Sequence, residues 1–212
     1  SSDLGRIRGD ILNLTALLCG NRFGRGLIIP GGTRYNLDRE RKTTLLKRLR
    51  TSLKELYHAS DLLWRSPSVM ARFEGCGTVD KETALSLGLV GPAARASGLE
   101  RDCRKNFPSP AYIKTPLRIV KEAAGDVYSR AFIRRGELEA SAEYIEKILS
   151  DTPDSPSGET CQEKEFLNPA SLKYSIAPDH LAFAMEEGWR GEVCHAAVTD
   201  RQGNLRTYKI ID

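Results

Sequence analysis

The feature that constrains the fold most is the helical spacing of apolar side chains over most of the chain. Strand-like runs occur only near its end. Residues 3–19, 38–64 and 126–150 place apolar side chains three and four positions apart. The runs "GEVCHAAVTD" and "LRTYKIID" instead resemble strands, and "RQGN" between them is typical of a hairpin turn. "HLAFAME" is a candidate third strand. Because no strands alternate with the helices, we predict a mainly α bundle followed by a small antiparallel β element.

The apolar stripes also predict which helix faces point toward a core. Asp38 is expected to cap the second helix, and Pro67 marks a break soon after its end. The predicted core positions are Leu4, Ile7, Ile11, Leu14, Leu17 and Leu18 on the first helix, Leu45, Leu46, Leu49, Leu53, Leu56 and Leu63 on the second, and Val127, Phe132, Leu138, Ile145, Ile148 and Leu149 on the last.

The segments between the long helices are predicted to be mostly irregular. "GRGLIIPGGTRYN" is expected to be a loop, and the three prolines of "LERDCRKNFPSPAYIKTP" argue against regular structure there. "TVDKETALSLG" and "PAARASG" each predict a short helix closed by glycine. We therefore predict one domain over residues 1–212, with a helical bundle over 1–150, a polar linker or excursion over 151–165 and the small β element over 166–212.

Composition excludes several classes of protein. No run of about 18 apolar residues is present, so no membrane-spanning helix is predicted. The net charge of +4 is a mild bias with mixed signs, and nucleic acid is not an expected partner. The basic residues between Arg39 and Arg50 could contact phosphates, although a solvated helix face is the favoured interpretation. Five widely spaced cysteines without a CxxC pair argue against a local zinc or iron–sulfur site, and favour a reduced, cytoplasmic setting.

Motifs that carry chemistry by themselves are missing from the sequence. There is no GxxxxGK[ST] phosphate loop, no GxSxG elbow, no HExxH and no dinucleotide fingerprint after a strand. The three histidines, His58, His180 and His195, lie far apart without the spacing of metal ligands. The residues alone therefore describe an α-rich domain with an arginine-bearing loop and no self-contained catalytic site.

That loop carries a resemblance to a known family. "GLVGPAARASGLERDCRKNFP", residues 88–108, is similar to the segment G-x-x-G-P-x-x-R-x-S-G-x-x-x-D-x-R-x-x-x-P of membrane-bound [NiFe]-hydrogenase large subunits. It also resembles the homologous quinone-pocket subunit of respiratory complex I. Four further stretches agree in order, and the resemblance covers nearly the whole chain: "LGRIRGDILNL", "NRFGRGLIIPGGT", "GDVYSRAFIRRGELEASAEYIEKIL" and "EEGWRGEVCHAAVTDRQGNLRTYKI".

The resemblance implies an oxidoreductase with a [NiFe]-hydrogenase large-subunit-like helical bundle. We expect the chain to be the central part of a catalytic large subunit that reduces protons or oxidises H2, closest to the formate hydrogenlyase type. One alternative is a quinone-reducing subunit of an NADH:quinone oxidoreductase, and another is a non-catalytic scaffold descendant. In the hydrogenase family four Cys thiolates in two CxxC motifs hold the Ni–Fe centre, and neither motif is present here. The chain alone is therefore expected to bind no metal and to be inactive.

The resemblance also nominates site residues. Arg190 in "WRGE" matches the family arginine that lies beside the metal site, where a fixed cation would stabilise developing charge. The alternative is a surface salt bridge with Glu186 or Glu187. Arg95, Asp102 and Arg104 are candidates for contact with a cofactor or quinone cavity; alternatively, they staple the loop within its own chain. His195 is expected to be structural.

The same resemblance implies partners and a location. In this family the large subunit packs against a small iron–sulfur subunit at a buried polar interface, in a complex with membrane subunits. We therefore expect an iron–sulfur partner and membrane subunits, with quinone as a further possible ligand. The expected location is peripheral, on the cytoplasmic side of the membrane.

Overall fold

The computed structural model describes residues 2–29, 32–33, 35–154 and 176–212. In chain order the helices are α1 (Ser2–Cys19), α2 (Arg39–Trp64), α3 (Pro67–Phe73), α4 (Lys81–Ser86), α5 (Gly91–Ala96), α6 (Cys103–Asn106), α7 (Pro110–Lys114) and α8 (Val127–Asp151). The strands are β1 (Ile28–Ile29), β2 (Gly32–Thr33), β3 (Leu181–Glu187), β4 (Glu192–Thr199) and β5 (Leu205–Ile211). Most of the predicted polar linker, and the first ten residues of the predicted β element, lie outside the described residues.

The chain divides into two compact units. One consists of residues 1–66 and 145–173, and the other consists of residues 67–144 and 174–212. The units cut across the segments predicted from sequence, because the short helices between residues 67 and 144 are grouped with the three-stranded sheet. The single domain predicted over 1–212 stays a prediction, and each unit is described by itself below.

The first unit contains α1, α2 and the last turns of α8. Asp38 caps α2 as predicted, because its Oδ1 accepts the Arg41 amide at 2.8 Å. Of the predicted stripe on α1 only Ile7 is fully buried, and Leu4 is mostly exposed. The predicted loop before α2 contains a short antiparallel ladder, in which Ile28 pairs with Thr33. Periodicity therefore located both helices, but it overestimated the buried face of α1.

The second unit packs short helices against α8 through small side chains. Ser129, Ile133, Gly136 and Ala140 of α8 are buried, whereas the predicted core residue Leu138 is largely exposed. Gly136 is required because a Cβ there would lie 2.8 Å from a methyl group of Val120. The prediction for α8 was therefore wrong at Leu138 and Ile145, which are exposed, whereas Phe132 packs against a buried cluster that includes Ile133. Most of the residues that α8 buries are small, so that neighbouring segments can approach its backbone.

The segment with three prolines was predicted to be irregular, and this was wrong. It forms the two short helices α6 and α7. Asp102 caps α6 by accepting the Arg104 amide at 2.9 Å, and Pro110 occupies the first position of α7. Proline is tolerated at a first helical position because the amide hydrogen that it lacks would have no partner within the helix.

The C-terminal strands form one antiparallel sheet in the order β3-β4-β5. All three predicted strands are present, and Ala184 pairs with His195, which in turn pairs with Ile210. Glu187 and Glu192 lie directly opposite each other where the β3–β4 turn begins and ends. The described part of the structure is thus mainly helical with a small antiparallel sheet.

Candidate functional site

Two glycines bring the loop at 88–108 into contact with the β3–β4 turn. Gly91 begins α5 with a φ of +62°, and a Cβ there would fall 2.6 Å from the carbonyl carbon of Arg190. In the other direction, a Cβ on Gly191 would lie 2.9 Å from the amide nitrogen of Gly91. Only glycine permits this approach, since any side chain would push the two backbones apart. The two motifs that carry the family resemblance therefore meet in space.

Arg95 is the centre of a buried ion-pair cluster beneath that contact. Its side chain is 0% exposed. Nη1 donates to Glu187 Oε1 and to the Arg101 carbonyl oxygen, both at 2.8 Å, and lies 3.1 Å from Asp102 Oδ2. Nη2 pairs with Glu137 of α8. One guanidinium thus connects the loop, α8 and the end of β3, as its fixed fork of donors allows.

Asp102 and Arg104 complete the cluster from within the loop. Arg104 binds Asp102 in a bidentate pair, with Nε to Oδ1 at 2.9 Å and Nη2 to Oδ2 at 2.6 Å. Burial would lower the pKa of Arg104, but the hydrogen bond and charge of Asp102, together with Glu137 and Glu187, raise it above its usual value. Because Asp102 is only 1% exposed, it relies on the two arginines to compensate for its lost hydration.

Cys103 lies beside the cluster and faces two carboxylates, those of Glu187 in the cluster and of Glu192. Its amide donates to Glu187 Oε2 at 3.0 Å, and its thiol is 3.9 Å from Glu192 Oε2. Burial, followed by the charges of Glu187, Glu192 and Asp102, raises the pKa of the Cys103 thiol to about 12. Cys103 and Glu192 line a cavity of about 330 Å³. The thiol is therefore held neutral at physiological pH and is a poor nucleophile.

The β3–β4 turn carries an aromatic side chain that lies close to two arginines. The guanidinium carbons of Arg134 and Arg190 lie 5.2 and 5.4 Å from the centre of the Trp189 ring, within the range of cation–π contact. Arg190 also forms an ion pair with Asp212, and its side chain is 56% exposed. Its ion-pair partner is thus Asp212, and not Glu186 or Glu187 as the alternative interpretation had it.

The structure brings together three of the four nominated residues. Arg95, Asp102 and Arg104 form one cluster within the chain, and their contact with a cofactor or quinone stays a prediction. Arg190 lies three residues beyond Glu187 on the turn that the cluster holds, and its role beside a reaction centre also stays a prediction. His195 lies beside Tyr208, with Nδ1 at hydrogen-bond distance from the hydroxyl group. Glu137 and Glu187 were not predicted from the sequence as the partners of Arg95.

The residues described do not fit a Ni–Fe centre. Among them there is no group of three or more His, Cys, Asp or Glu side chains that could hold a metal ion. The four cysteines in the described ranges, Cys19, Cys76, Cys103 and Cys194, are free thiols. The resemblance places the ligands of such a centre outside this chain, and we derive no chemical step through it. Nor does any helix in the described ranges have the length and apolarity needed to cross a membrane.

Comparison with known proteins identifies the family. Residues 4–210 match the model of the respiratory-chain NADH dehydrogenase 49 kDa subunit, so the chain belongs to this family. It is 30% identical over 97% of its length to an NADH-quinone oxidoreductase subunit of Herpetosiphon aurantiacus, of which it covers 54%. It is 32% identical over 65% of its length to the carbon monoxide-induced hydrogenase of Rhodospirillum rubrum, of which it covers 38%.

A solved structure supports the same relationship. The chain resembles a subunit of the membrane-bound sulfane sulfur reductase, an archaeal respiratory membrane complex, with a TM-score of 0.76 and 28% identity. The similarity covers 97% of this chain and 54% of that one. The chain thus spans about half or less of the length of the relatives named here. The superfamily inferred from the sequence motifs is confirmed, whereas the formate hydrogenlyase branch within it is not.

Proposed function

We propose that the protein acts as the quinone-site subunit of a respiratory oxidoreductase complex at a membrane. The observation that carries this proposal is the family match over residues 4–210, together with relatives named as quinone oxidoreductase subunits. A quinone-reducing subunit was the alternative expected from the sequence, and the names of the relatives favour it over formate hydrogenlyase-like chemistry. The iron–sulfur partner, the membrane subunits and a peripheral position on the cytoplasmic side belong to the same proposal.

The residues of this chain would serve such a reaction by holding a cation in place. Reducing a quinone to a quinol adds two electrons and two protons, and negative charge develops on the quinone oxygens. A guanidinium held close to those oxygens stabilises that charge. Arg190 is the proposed cation, and the Arg95 cluster fixes the turn that carries it through Glu187. Electrons would come from the iron–sulfur partner when it is bound.

A hydrogenase-type reaction is the second candidate, because one relative is a carbon monoxide-induced hydrogenase. The two candidates differ in metal content, since the hydrogenase family holds nickel and iron in its large subunit. The test is elemental analysis of the intact complex, purified by a tag on this protein. The proposed function predicts iron without stoichiometric nickel. One nickel per complex would overturn it in favour of the hydrogenase reaction, with formate hydrogenlyase as one form.

A further inference from the structure

A polar cavity of about 500 Å³ lies between α1 and α2, entirely within the first unit. Nine residues line it, and every one of them is polar or charged. Because every lining residue carries a polar group, the cavity suits a solute that forms hydrogen bonds. The charges and the free hydrogen-bonding groups on its wall indicate which kind of solute it suits.

The two carboxylates on the wall are already neutralised. Arg6 donates from Nη1 to Asp10 Oδ2 at 3.0 Å and from Nη2 to Glu55 Oε2 at 2.8 Å, and so joins the two helices. Because both carboxylates share one guanidinium, they offer little attraction to a further cation. The remaining charged residues on the wall are therefore the ones that select a ligand.

Those remaining residues are both cations, Lys47 and Arg48. Neither has an ion pair or a side-chain hydrogen bond with any other residue in the described ranges. Other basic residues of α2 do have partners: Lys42 pairs with Asp154 at 3.0 Å, and Arg50 pairs with Glu146 at 3.0 Å. The wall thus carries three cations and two carboxylates, and its excess positive charge belongs to side chains that remain available.

The hydroxyl groups of α2 also fall into two sets, those with a hydrogen-bond partner and those without one among the described residues. Thr43 and Thr51 donate to the carbonyl oxygens of Arg39 and Lys47, four residues back, at 2.8 and 3.0 Å. This is the usual way in which a helical threonine satisfies its hydroxyl group. Thr44 and Ser52 also line the cavity, and neither has a side-chain partner among the described residues. Ser52 is only 4% exposed as a whole residue, and its hydroxyl in the cavity wall is free to bond to a ligand.

We propose that this cavity binds a phosphate-bearing anion. Two cations supply attraction, and the free hydroxyl groups of Thr44 and Ser52 and the amide of Asn13 supply donors for the oxygens of a phosphate group. A phosphate monoester or inorganic phosphate presents this chemistry, as does the headgroup of an anionic phospholipid. The site lies in the first unit and does not depend on the proposed quinone reaction.

The test begins with inorganic phosphate as the probe. Binding to the 212-residue chain is followed by titration calorimetry in a low-salt buffer, with chloride at matched ionic strength as the reference. We expect saturable binding that weakens about tenfold in Lys47→Ala and by more in the double variant Lys47→Ala/Arg48→Ala. Lys54→Ala removes a basic side chain from α2 outside the cavity wall and should bind as the wild type does. Equal losses in Lys54→Ala and Lys47→Ala would overturn the site.

The hydroxyl groups provide a second, charge-neutral test. Ser52→Ala and Thr44→Val should each weaken phosphate binding severalfold, whereas Thr43→Val should leave it unchanged, because that hydroxyl bonds to its own helix.

Co-sedimentation with phosphatidylglycerol vesicles, compared with phosphatidylcholine vesicles, distinguishes a lipid headgroup from a soluble phosphate compound as the ligand. Vesicle binding that depends on Lys47 and Arg48 points to a lipid headgroup, and binding of free phosphate alone points to a soluble compound. The absence of both contradicts the proposal.

Discussion

Arg95 Nη1 donates to Glu187 Oε1 at 2.8 Å, and this bond joins residues that are 92 positions apart in the chain. It ties the start of the arginine-bearing loop to the last residue of β3, directly before the turn that carries Trp189 and Arg190. Glu187 uses its other oxygen to accept the Cys103 amide at 3.0 Å. The geometry of the turn therefore depends on groups buried in the loop.

Replacing Arg95 should destabilise the second unit strongly. Arg95→Met leaves the buried carboxylates of Asp102 and Glu187, and the partly buried one of Glu137, without their shared cation, and we expect a loss of about 3–5 kcal/mol in the free energy of unfolding. Urea denaturation measures this loss. Arg101→Met is the matched control, because its side chain is exposed and only its backbone oxygen contacts Arg95; it should change stability by less than about 0.5 kcal/mol.

Replacing Gly91 should disrupt the contact between loop and turn. Gly91→Ala introduces a Cβ that collides with the carbonyl group of Arg190, and also places alanine at positive φ. Gly88→Ala is a matched control with a φ of +67° and no atom within 4 Å of the added Cβ. The control should cost about 1–2 kcal/mol from backbone strain, and Gly91→Ala should cost clearly more. If Gly91→Ala and Gly88→Ala lost similar stability in thermal unfolding experiments, the close approach of the loop and turn backbones would not be rigid.

Cys103 should resist alkylation in the folded protein. Because its pKa is raised to about 12, the thiolate fraction at pH 8.5 is roughly a thousandfold smaller than that of an ordinary thiol. Iodoacetamide labelling followed by peptide mass spectrometry measures each cysteine separately. Cys76 and Cys194, which are only partly buried, should react first. Labelling of Cys103 at their rate, while the protein remains folded, would contradict the assigned environment.

The ionisation of Asp126 should make the free energy of unfolding depend on pH in the acid range. Burial opposes its ionisation, but the backbone amides of Ser129 and Gly75, at 2.8 and 2.9 Å, hold the pKa of Asp126 below its usual value. A depressed pKa contributes stability that is present above the unfolded pKa of about 3.9 and is lost as the pH falls through the folded pKa. Asp126→Asn should therefore be less stable than wild type at pH 7, and the difference should shrink below pH 4. Asp151→Asn, at an exposed carboxylate, is the matched control and should change stability by less than about 0.5 kcal/mol at pH 7.

Arg190 should matter for turnover and not for folding. Its ion pair with Asp212 is exposed, and such pairs contribute less than about 1 kcal/mol. Arg190→Leu should therefore leave the stability and assembly of the complex intact while it lowers the rate of electron transfer. Arg201→Leu, at an exposed position in the β4–β5 turn, is the matched control. Normal turnover in Arg190→Leu would remove this residue from the proposed site.

The sequence reveals the local elements of secondary structure better than it reveals long-range packing. The bounds of α1, α2 and α8 and the three strands of the sheet followed from periodicity, capping residues and turn signals. The buried face of α8 did not, because Gly136 and Ala140 are buried by close backbone packing and not by hydrophobic bulk. Helix α7 was missed because its proline was interpreted as a breaker and not as a first helical residue.

The candidate site was only partly predictable for a similar reason. Arg95, Asp102 and Arg104 fall within one short motif, so the resemblance identified them together. Glu137 and Glu187 belong to a helix and a strand far along the chain, and a glutamate on a helix gives no local sign that it is buried. Glycines at 91 and 191 were visible in the motifs, but their mutual contact depends on tertiary structure alone.

The most direct test of the proposed function is the rate of quinone reduction in membranes that lack or contain this protein. Membranes from a deletion strain, complemented with the wild-type gene or with Arg95→Met, are supplied with NADH as electron donor and a short-chain quinone as acceptor, and H2 evolution is followed in parallel. We expect deletion to abolish the quinone-dependent electron flow, the wild-type gene to restore it and Arg95→Met to leave it abolished. Loss of H2 evolution with unchanged quinone reduction would contradict the proposed function.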